Sequence, residues 1–209
     1  VQFSDLRLLL FPVRSIAGTF AWVTSPYLLN RLARDLQSIG ENTEMPSELP
    51  RLSQMDCLVS EKNCQVTFSS NVILEDLDLK AMPHQAASQW AEWIGNRVFP
   101  EDKTWQEMLV ERFAVVKDSV MNFLLETATE ISARIRLKED TKTVAKGGLW
   151  YEEALPTETI LVGLVLATQV KATTDEVFET ISQLTKKPLQ FGGKATVGRG
   201  LCRLQMLEV

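Results

Sequence analysis

A glycine-rich stretch near the C-terminus, FGGKATVGRG (Phe191–Gly200), has residue types that bind phosphate. Four of its ten residues are glycine, and its two charged side chains are Lys194 and Arg199. Glycine permits a contorted backbone and a close approach to a ligand, and bare amides beside cations make a concave site for anions. The candidate phosphate-binding residues are Gly192, Gly193, Lys194, Ala195, Thr196, Val197, Gly198, Arg199 and Gly200.

Two familiar phosphate-binding loops are excluded by the surroundings of this stretch. A Walker A loop has Lys directly after its last glycine and is followed by a helix, whereas here Arg199 follows Gly198 and a strand-like segment comes next. A Rossmann loop must also open a helix. A flexible turn between a helix and a strand is the alternative, and the number of nearby cations favours the phosphate site. These cations are Lys186, Lys187, Lys194, Arg199 and Arg203.

A second basic segment, Arg134–Ile160, predicts a long β-hairpin with a basic tip. Such a projection cannot bury its tip on its own sheet, so the tip either stays mobile or lies on a partner. Arg14, at the end of another predicted strand, is a further candidate contact, and core packing is the alternative for Trp150. The candidate contacts in the hairpin are Arg136, Lys138, Lys142, Lys146 and Trp150.

Three kinds of catalytic site find little support. Glu152 and Glu153 are adjacent, so a strand points them to opposite faces and they cannot act as a glycosidase pair. One buried and paired carboxylate beside one solvated carboxylate is expected instead. The single histidine, His84, excludes a two-histidine nuclease, and the three cysteines lack C-x-x-C spacing, which speaks against a zinc site. Asp5 is expected to be a turn or salt-bridge residue, and no catalytic or metal-binding residue is assigned.

The net charge of −5 is unevenly distributed along the 209 residues. Residues 36–130 carry seven basic and sixteen acidic side chains, whereas residues 186–203 carry five basic and no acidic ones. Because salt screens each charge within about 8–10 Å, a local basic region can bind phosphate on an acidic protein. No apolar run reaches the roughly 18 residues of a membrane span, and the N-terminus lacks signal-peptide features. A cytoplasmic protein is expected, and we also expect that an N-terminal portion before Val1 is absent.

The hydrophobic pattern predicts an α+β fold in one domain, residues 1–209. Paired strands are predicted at 7–13 and 19–23, then a helix from Pro26 to Gly40, a loop over 41–62, a hairpin around 69–71 and helices at 83–99 and 105–112. Strands at 112–116, 130–137, 148–155, 159–168 and 200–207, with helices at 118–126 and 174–184, complete it. Their β-α-β-β-α-β order is typical of a ferredoxin-like sheet.

Three blocks together resemble the RAMP superfamily of CRISPR effector proteins. These are FSDLRLLLFPVRSIAGTFAWVTSPYLLNRLARDL, RIRLKEDTKTVAKGGLWYEEALPTET and FGGKATVGRGLCRL. With the first block the resemblance narrows to the backbone subunit, the fourth subunit, of the Cmr complex of type III-B. The resemblance covers nearly the whole chain and is weakest in the acidic middle.

The resemblance implies a ferredoxin-like or RRM-like palm with a helical insertion at about 41–110 and a projecting β-hairpin thumb at about 136–150. It implies an antiviral role in which copies stack as a filament on CRISPR RNA, beside other Cmr subunits and target single-stranded RNA. The glycine-rich loop would contact the guide backbone, and the thumb, with Leu149 or Trp150, would separate bases of the guide–target duplex. The family's catalytic aspartate belongs to an upstream loop that nothing here matches.

Two functions therefore remain open, and a third is weaker. The first is a guide-RNA-binding subunit that, when complete, also cleaves target RNA with a divalent metal such as Mg or Mn. The second is a purely architectural subunit without nuclease activity. The third is an endonuclease that processes precursor RNA, which is disfavoured because His84 is remote in sequence from the basic loops.

Overall fold

The computed structural model describes residues 1–40 and 44–207, and within them the chain forms fourteen strands and five α-helices. The strands are β1 (Gln2–Phe3), β2 (Arg7–Arg14), β3 (Phe20–Thr24), β4 (Asp56–Val59), β5 (Thr67–Phe68), β6 (Asn71–Leu74), β7 (Leu77–Pro83), β8 (Phe113–Val116), β9 (Glu130–Leu137), β10 (Val144–Ala154), β11 (Ile160–Val162), β12 (Val165–Leu166), β13 (Leu189–Gln190) and β14 (Leu201–Cys202). The helices are α1 (Pro26–Ser38), α2 (Gln85–Val98), α3 (Lys103–Arg112), α4 (Asp118–Thr127) and α5 (Thr174–Thr185).

Eight of the described strands form one mixed sheet in the order β11–β2–β3–β8–β4–β7–β6–β5. Its centre is the parallel pair β3 and β8, in which Trp22 lies opposite Phe113. Antiparallel strands flank this pair, β2 beside β3 and β4 beside β8. The fold class is therefore α+β, as the sequence predicted.

Alternating residues of β8 show why this sheet is covered on both faces. Phe113 and Val115 pack with side chains of α1, α2 and α3, whereas Ala114 and Val116 pack with side chains of α4. All four residues are buried. A strand buried on both faces has no polar alternation, which is why FAVV is apolar throughout.

The N-terminal predictions are largely confirmed. Strands β2 and β3 pair antiparallel, and α1 begins at Pro26, where the ring fixes a helical backbone angle. The short hairpin of β5 and β6 also forms, and it turns through Ser69 and Ser70, which both have positive φ. The helix predicted at 83–99 begins two residues later, because His84 caps α2 by accepting a hydrogen bond from the amide of Ala86 at 3.1 Å.

The prediction of a loop over residues 41–62 is wrong for the second half of that range. Residues 56–59 form β4, which pairs with both β7 and β8 in the interior of the sheet. The run Cys57-Leu58-Val59 is fully buried, so packing outweighs the polar composition around it. The first residues of the predicted loop, 41–43, lie outside the described residues.

The β-α-β-β-α-β series predicted after residue 112 does not form one sheet. Strands β9 and β10 pair only with each other, as do β13 and β14, while β12 pairs with β1. The strand predicted at 159–168 breaks at Leu164, whose amide donates to the Ser4 hydroxyl at 2.7 Å. The last strand is shorter than predicted, since only Leu201–Cys202 is extended and paired.

Candidate nucleic-acid interface

The hairpin of β9 and β10 has two faces of different chemistry. Cross-strand pairs share a face, and the register places Ser132 opposite Glu152 and Arg134 opposite Trp150. Glu130 and Arg136 alternate with Ser132 and Arg134 along β9 and therefore lie on the same face. We call this face, with its six residues, the polar face. Their neighbours in sequence point the other way.

The opposite face of the hairpin is apolar and open to solvent. We call it the apolar face and define it by its six large apolar side chains, which are between 45% and 70% exposed. They belong to Ile131, Ile135, Leu137, Val144, Leu149 and Tyr151. Exposed groups of large apolar side chains are typical of interaction surfaces.

The tip of the hairpin combines a bulge with exposed basic side chains. The register shifts between Val144 and Leu149. Gly148 lies in this bulge, where a Cβ would be 2.9 Å from the carbonyl oxygen of Arg136 and 2.8 Å from that of Ala145. A larger residue at Gly148 would therefore displace the backbone. Among the described residues, no ion pair involves the four exposed basic side chains of this region, Arg136, Lys138, Lys142 and Lys146.

The glycine loop, residues 191–200, is a closed turn on the stem of β13 and β14. Its ends meet where the amide of Phe191 donates to the carbonyl of Gly200 at 2.8 Å. Residues Ala195–Val197 form one turn of 3-10 helix, and Lys194 before it has a φ of 64°. A Cβ on Gly200 would lie only 2.1 Å from the carbonyl oxygen of Phe191. Glycine at 200 is therefore required by close backbone approach.

Lys194 and Arg199 join the glycine loop to the polar face of the hairpin. The Lys194 ammonium lies 2.8 Å from a carboxylate oxygen of Glu152. The Arg199 guanidinium lies 2.7 Å from Glu130 and donates to the Ser132 hydroxyl at 3.3 Å. The two basic groups predicted to meet phosphate are thus both paired with hairpin carboxylates, and the loop and the hairpin form one surface.

Glu152 is the centre of this contact. Its carboxylate accepts from the Trp150 indole at 3.0 Å, in addition to Lys194, and lies 3.4 Å from the Arg134 guanidinium. Hydrogen bonds from Lys194 and Trp150, with the charges of Lys194 and Arg134, lower the pKa of Glu152 to about 2. The carboxylate side chain is 15% exposed. Two cations around one carboxylate leave the cluster positively charged.

Comparison with known proteins decides the family of this chain. The protein-family model described as the RAMP superfamily matches residues 1–203. The chain belongs to the RAMP superfamily. It is also 35% identical over 217 residues to the CRISPR system Cmr endoribonuclease Cmr4 of Pyrococcus furiosus, covering 100% of this chain and 70% of that relative. The predicted resemblance to the fourth Cmr subunit is confirmed.

Solved structures agree with this RAMP assignment. A crystal structure of oligomeric Cmr4 from Pyrococcus furiosus is 30% identical, with a TM-score of 0.73 over 95% of this chain and 70% of that one. A cryo-EM structure of type III-B Cmr-beta bound to cognate target RNA contains a chain of the same fold. That chain is 20% identical, with a TM-score of 0.69 over 98% of this chain and 69% of its own.

Arg14 is separate from the loop and the hairpin of this RAMP chain. Its guanidinium binds both carboxylate oxygens of Glu75, with donors at 3.0 and 2.9 Å, and its carbonyl accepts from the Glu75 amide at 3.0 Å. These bonds fix the end of β2 to the turn between β6 and β7. Within residues 1–40 and 44–207, no hydrogen bond or ion pair connects Arg14 with the glycine loop.

The described residues contain no cluster of three or more His, Cys, Asp or Glu side chains that could hold a metal ion. Asp5 is exposed. In the same described part of the chain, none of the helices is long and apolar enough to cross a membrane.

Sequence reasoning missed the hairpin residues that contact the loop, namely Glu130, Ser132 and Glu152, and also Arg134, which contacts Glu152. It did predict that Glu152 and Glu153 face opposite ways. Trp150 is 44% exposed and donates to Glu152 on the polar face, so it is not a core residue. The alternation of residues in β9 could have indicated this face, because polar residues occupy every second position, at 130, 132, 134 and 136.

Proposed function

We propose that this protein is a guide-RNA-binding backbone subunit of a cytoplasmic type III-B CRISPR effector complex with an antiviral role. The observation that carries the proposal is the contact of the glycine loop with the polar face of the hairpin. It brings loop amides, Lys194 and Arg199 of the loop, and Arg134 of the hairpin to one surface. Amides and cations contact the phosphate backbone without reading base sequence, as a subunit that accepts many guides requires.

The glycine loop supplies the phosphate-binding part of this function. Gly192, Gly193 and Ala195 are exposed, and among the described residues their amides have no backbone acceptor. Exposed amides of this kind are available to an anion. The remaining loop residues of the proposed contact are Lys194, Thr196, Val197, Gly198, Arg199 and Gly200.

The large sheet supplies the palm of the proposed subunit, and the hairpin supplies the thumb. The order β2–β3–β8–β4, in which two parallel strands lie between antiparallel neighbours, supports the proposal of a ferredoxin-like palm. We place the thumb at about 136–150 and the helical insertion at about 41–110. The apolar face of the hairpin is suited to contact bases forced out of their stack, while Arg136, Lys138, Lys142 and Lys146 are suited to phosphates.

The partners of the proposed subunit are CRISPR RNA, target single-stranded RNA, further copies of itself and other Cmr subunits. Two similar structures support this assembly, because one is described as oligomeric Cmr4 from Pyrococcus furiosus and the other as type III-B Cmr-beta bound to cognate target RNA. We propose a filament of copies along one guide, because a sequence-independent backbone contact can repeat at intervals along RNA.

Cleavage of target RNA is the finer part of the proposal. The Pyrococcus furiosus relative is named an endoribonuclease, and a divalent metal is expected to support that step in the complete protein. No carboxylate of the described residues is assigned to the step, because none belongs to a metal-binding cluster. An architectural subunit without nuclease activity is the second candidate function.

The test is to purify the protein from its native host and sequence the RNA that accompanies it. RNAs that share a CRISPR-repeat tag and are protected from nuclease at regular intervals are expected. An intact, folded preparation that carries no such RNA would overturn the proposal.

A further inference from the structure

Glu152 is a carboxylate at the centre of a surface that we propose binds phosphate, and its presence there needs a physical explanation. By charge alone Glu152 repels phosphate. Yet it receives groups from three parts of the chain, namely Arg134 of β9 at 3.4 Å, Trp150 of its own strand at 3.0 Å and Lys194 of the glycine loop at 2.8 Å. Only the last of these crosses from the hairpin to the loop.

The glycine loop is a segment that needs such a contact. Its four glycines give it more conformational freedom than other sequences of the same length. A loop that must be ordered when RNA binds weakens affinity, whereas a loop held beforehand does not. The loop's own hydrogen bonds close its ends, but they do not orient it relative to the hairpin.

We infer that Glu152 is a positioning residue: through Lys194 it holds the glycine loop on the polar face of the hairpin, so that both present their phosphate-binding groups as one rigid surface. The inference rests on the proposed function and deepens it. The contact of Arg199 with Glu130 and Ser132 fixes the other side of the loop. With one contact on each side, the loop cannot swing about its stem.

The sign of one mutational effect separates this role from a competing one. If Glu152 merely occupied Lys194 until RNA displaced it, removal of the carboxylate would free a cation and strengthen RNA binding. If Glu152 positions the loop, its removal weakens binding although a negative charge leaves a surface that contacts phosphate.

The experiment compares Glu152→Ala and Glu152→Gln with the unaltered chain, using a fluorescein-labelled polyuridine RNA and fluorescence anisotropy. The matched control is Glu153→Ala, which removes the same charge from the adjacent residue. Glu153 points to the opposite side of the hairpin and accepts from Thr129 at 2.7 Å, and no ion pair of the described residues joins it to the loop. Hydrogen exchange of residues 191–200 is measured on the same proteins without RNA.

We expect Glu152→Ala to bind polyuridine about tenfold more weakly, because the loop must then be ordered on binding. Glu152→Gln keeps an oxygen acceptor for Lys194 and is expected to restore most of the affinity. Glu153→Ala is expected to bind at least as tightly as the unaltered chain. Loop amides should exchange faster in Glu152→Ala, while those of β3 and β8 stay protected.

A double-mutant comparison shows whether Glu152 acts through Lys194. In a Lys194→Ala background, Glu152→Ala is expected to cause no further decrease in RNA affinity, whereas a general weakening of the hairpin would add its own decrease. Equal or tighter binding by Glu152→Ala, or loop exchange that does not change, would overturn the inference. If the unaltered chain fails to bind RNA, the proposed function fails, and the exchange measurement alone decides the positioning role.

Discussion

The Lys194 ammonium is bound to the Glu152 carboxylate at 2.8 Å, so the lysine of the glycine loop is held by the hairpin. Arg199 is likewise bound to Glu130 at 2.7 Å. Both cations are therefore partly neutralised before any RNA arrives. In the proposed function, these pairs orient the two cations as well as reduce their charge.

The first prediction concerns these two loop cations. Replacement of Lys194 and Arg199 together by Ala should weaken binding of single-stranded RNA. It should also reduce the slope of log K against log salt by about 0.7 for each phosphate that the protein no longer neutralises. Anisotropy titrations over a range of salt concentrations measure that slope. Lys103→Ala is the control, because Lys103 is exposed at the start of α3. A slope equal to that of the control would refute the loop assignment.

The second prediction concerns the tip of the hairpin. Lys138, Lys142 and Lys146 are exposed, and the described residues offer them no ion pair, so their charge is available to phosphate. The triple Ala variant should lower the salt slope by about two units while leaving the thermal midpoint of unfolding unchanged. A normal slope with a normal midpoint would show that the tip does not contact RNA.

The parts of the fold that the sequence could predict are those governed by local pattern. Pro26 fixes the start of α1, and the alternation in β9 fixes which side chains share a face. The contact of Lys194 with Glu152 could not be predicted in this way, because it joins segments far apart in the chain. Nothing in the local sequence around either residue specifies its partner.

The bounds of strands β4 and β12 also could not be predicted from the local sequence. The apolar core of β4 is only Cys57-Leu58-Val59, and its place in the sheet depends on neighbours from elsewhere in the chain. Strand β12 separates from β11 because Ser4 bonds to Leu164 at 2.7 Å. Tertiary contacts thus decide elements that are too short for their own pattern to decide.

The third prediction compares two glycines of the loop. Gly200→Ala should disrupt the loop and weaken RNA binding, because its Cβ would lie 2.1 Å from the carbonyl oxygen of Phe191. Gly193→Ala should leave the loop conformation intact, since a Cβ there meets nothing within 4 Å. Hydrogen exchange over residues 191–200 and anisotropy with RNA measure both effects. Equal behaviour of the two variants would contradict the described loop geometry.

The fourth prediction concerns pH. The pKa of Glu152 is about 2 in the folded protein, below the value of about 4.3 for an unperturbed glutamate. The stabilisation from its ionised form is therefore present above the unfolded pKa and is lost as pH falls from about 4.5 towards 2. The indole N–H resonance of Trp150, which donates to Glu152, follows protonation of the folded protein and should move with a midpoint near 2. A midpoint near 4.3 would contradict the described contacts of the carboxylate with Lys194, Trp150 and Arg134.

The fifth prediction separates the apolar face from the phosphate contacts. Leu149 is 55% exposed on that face, so Leu149→Ser should leave folding intact and, because phosphate contacts dominate affinity, should change RNA affinity little. If the face meets unstacked bases, the variant should dim the fluorescence of 2-aminopurine placed at regular intervals in a guide–target duplex, since an unstacked 2-aminopurine is brighter than a stacked one. Leu166→Ser, at a similarly exposed position on β12, is the control. Fluorescence equal to that of the control would show that the apolar face does not contact unstacked bases.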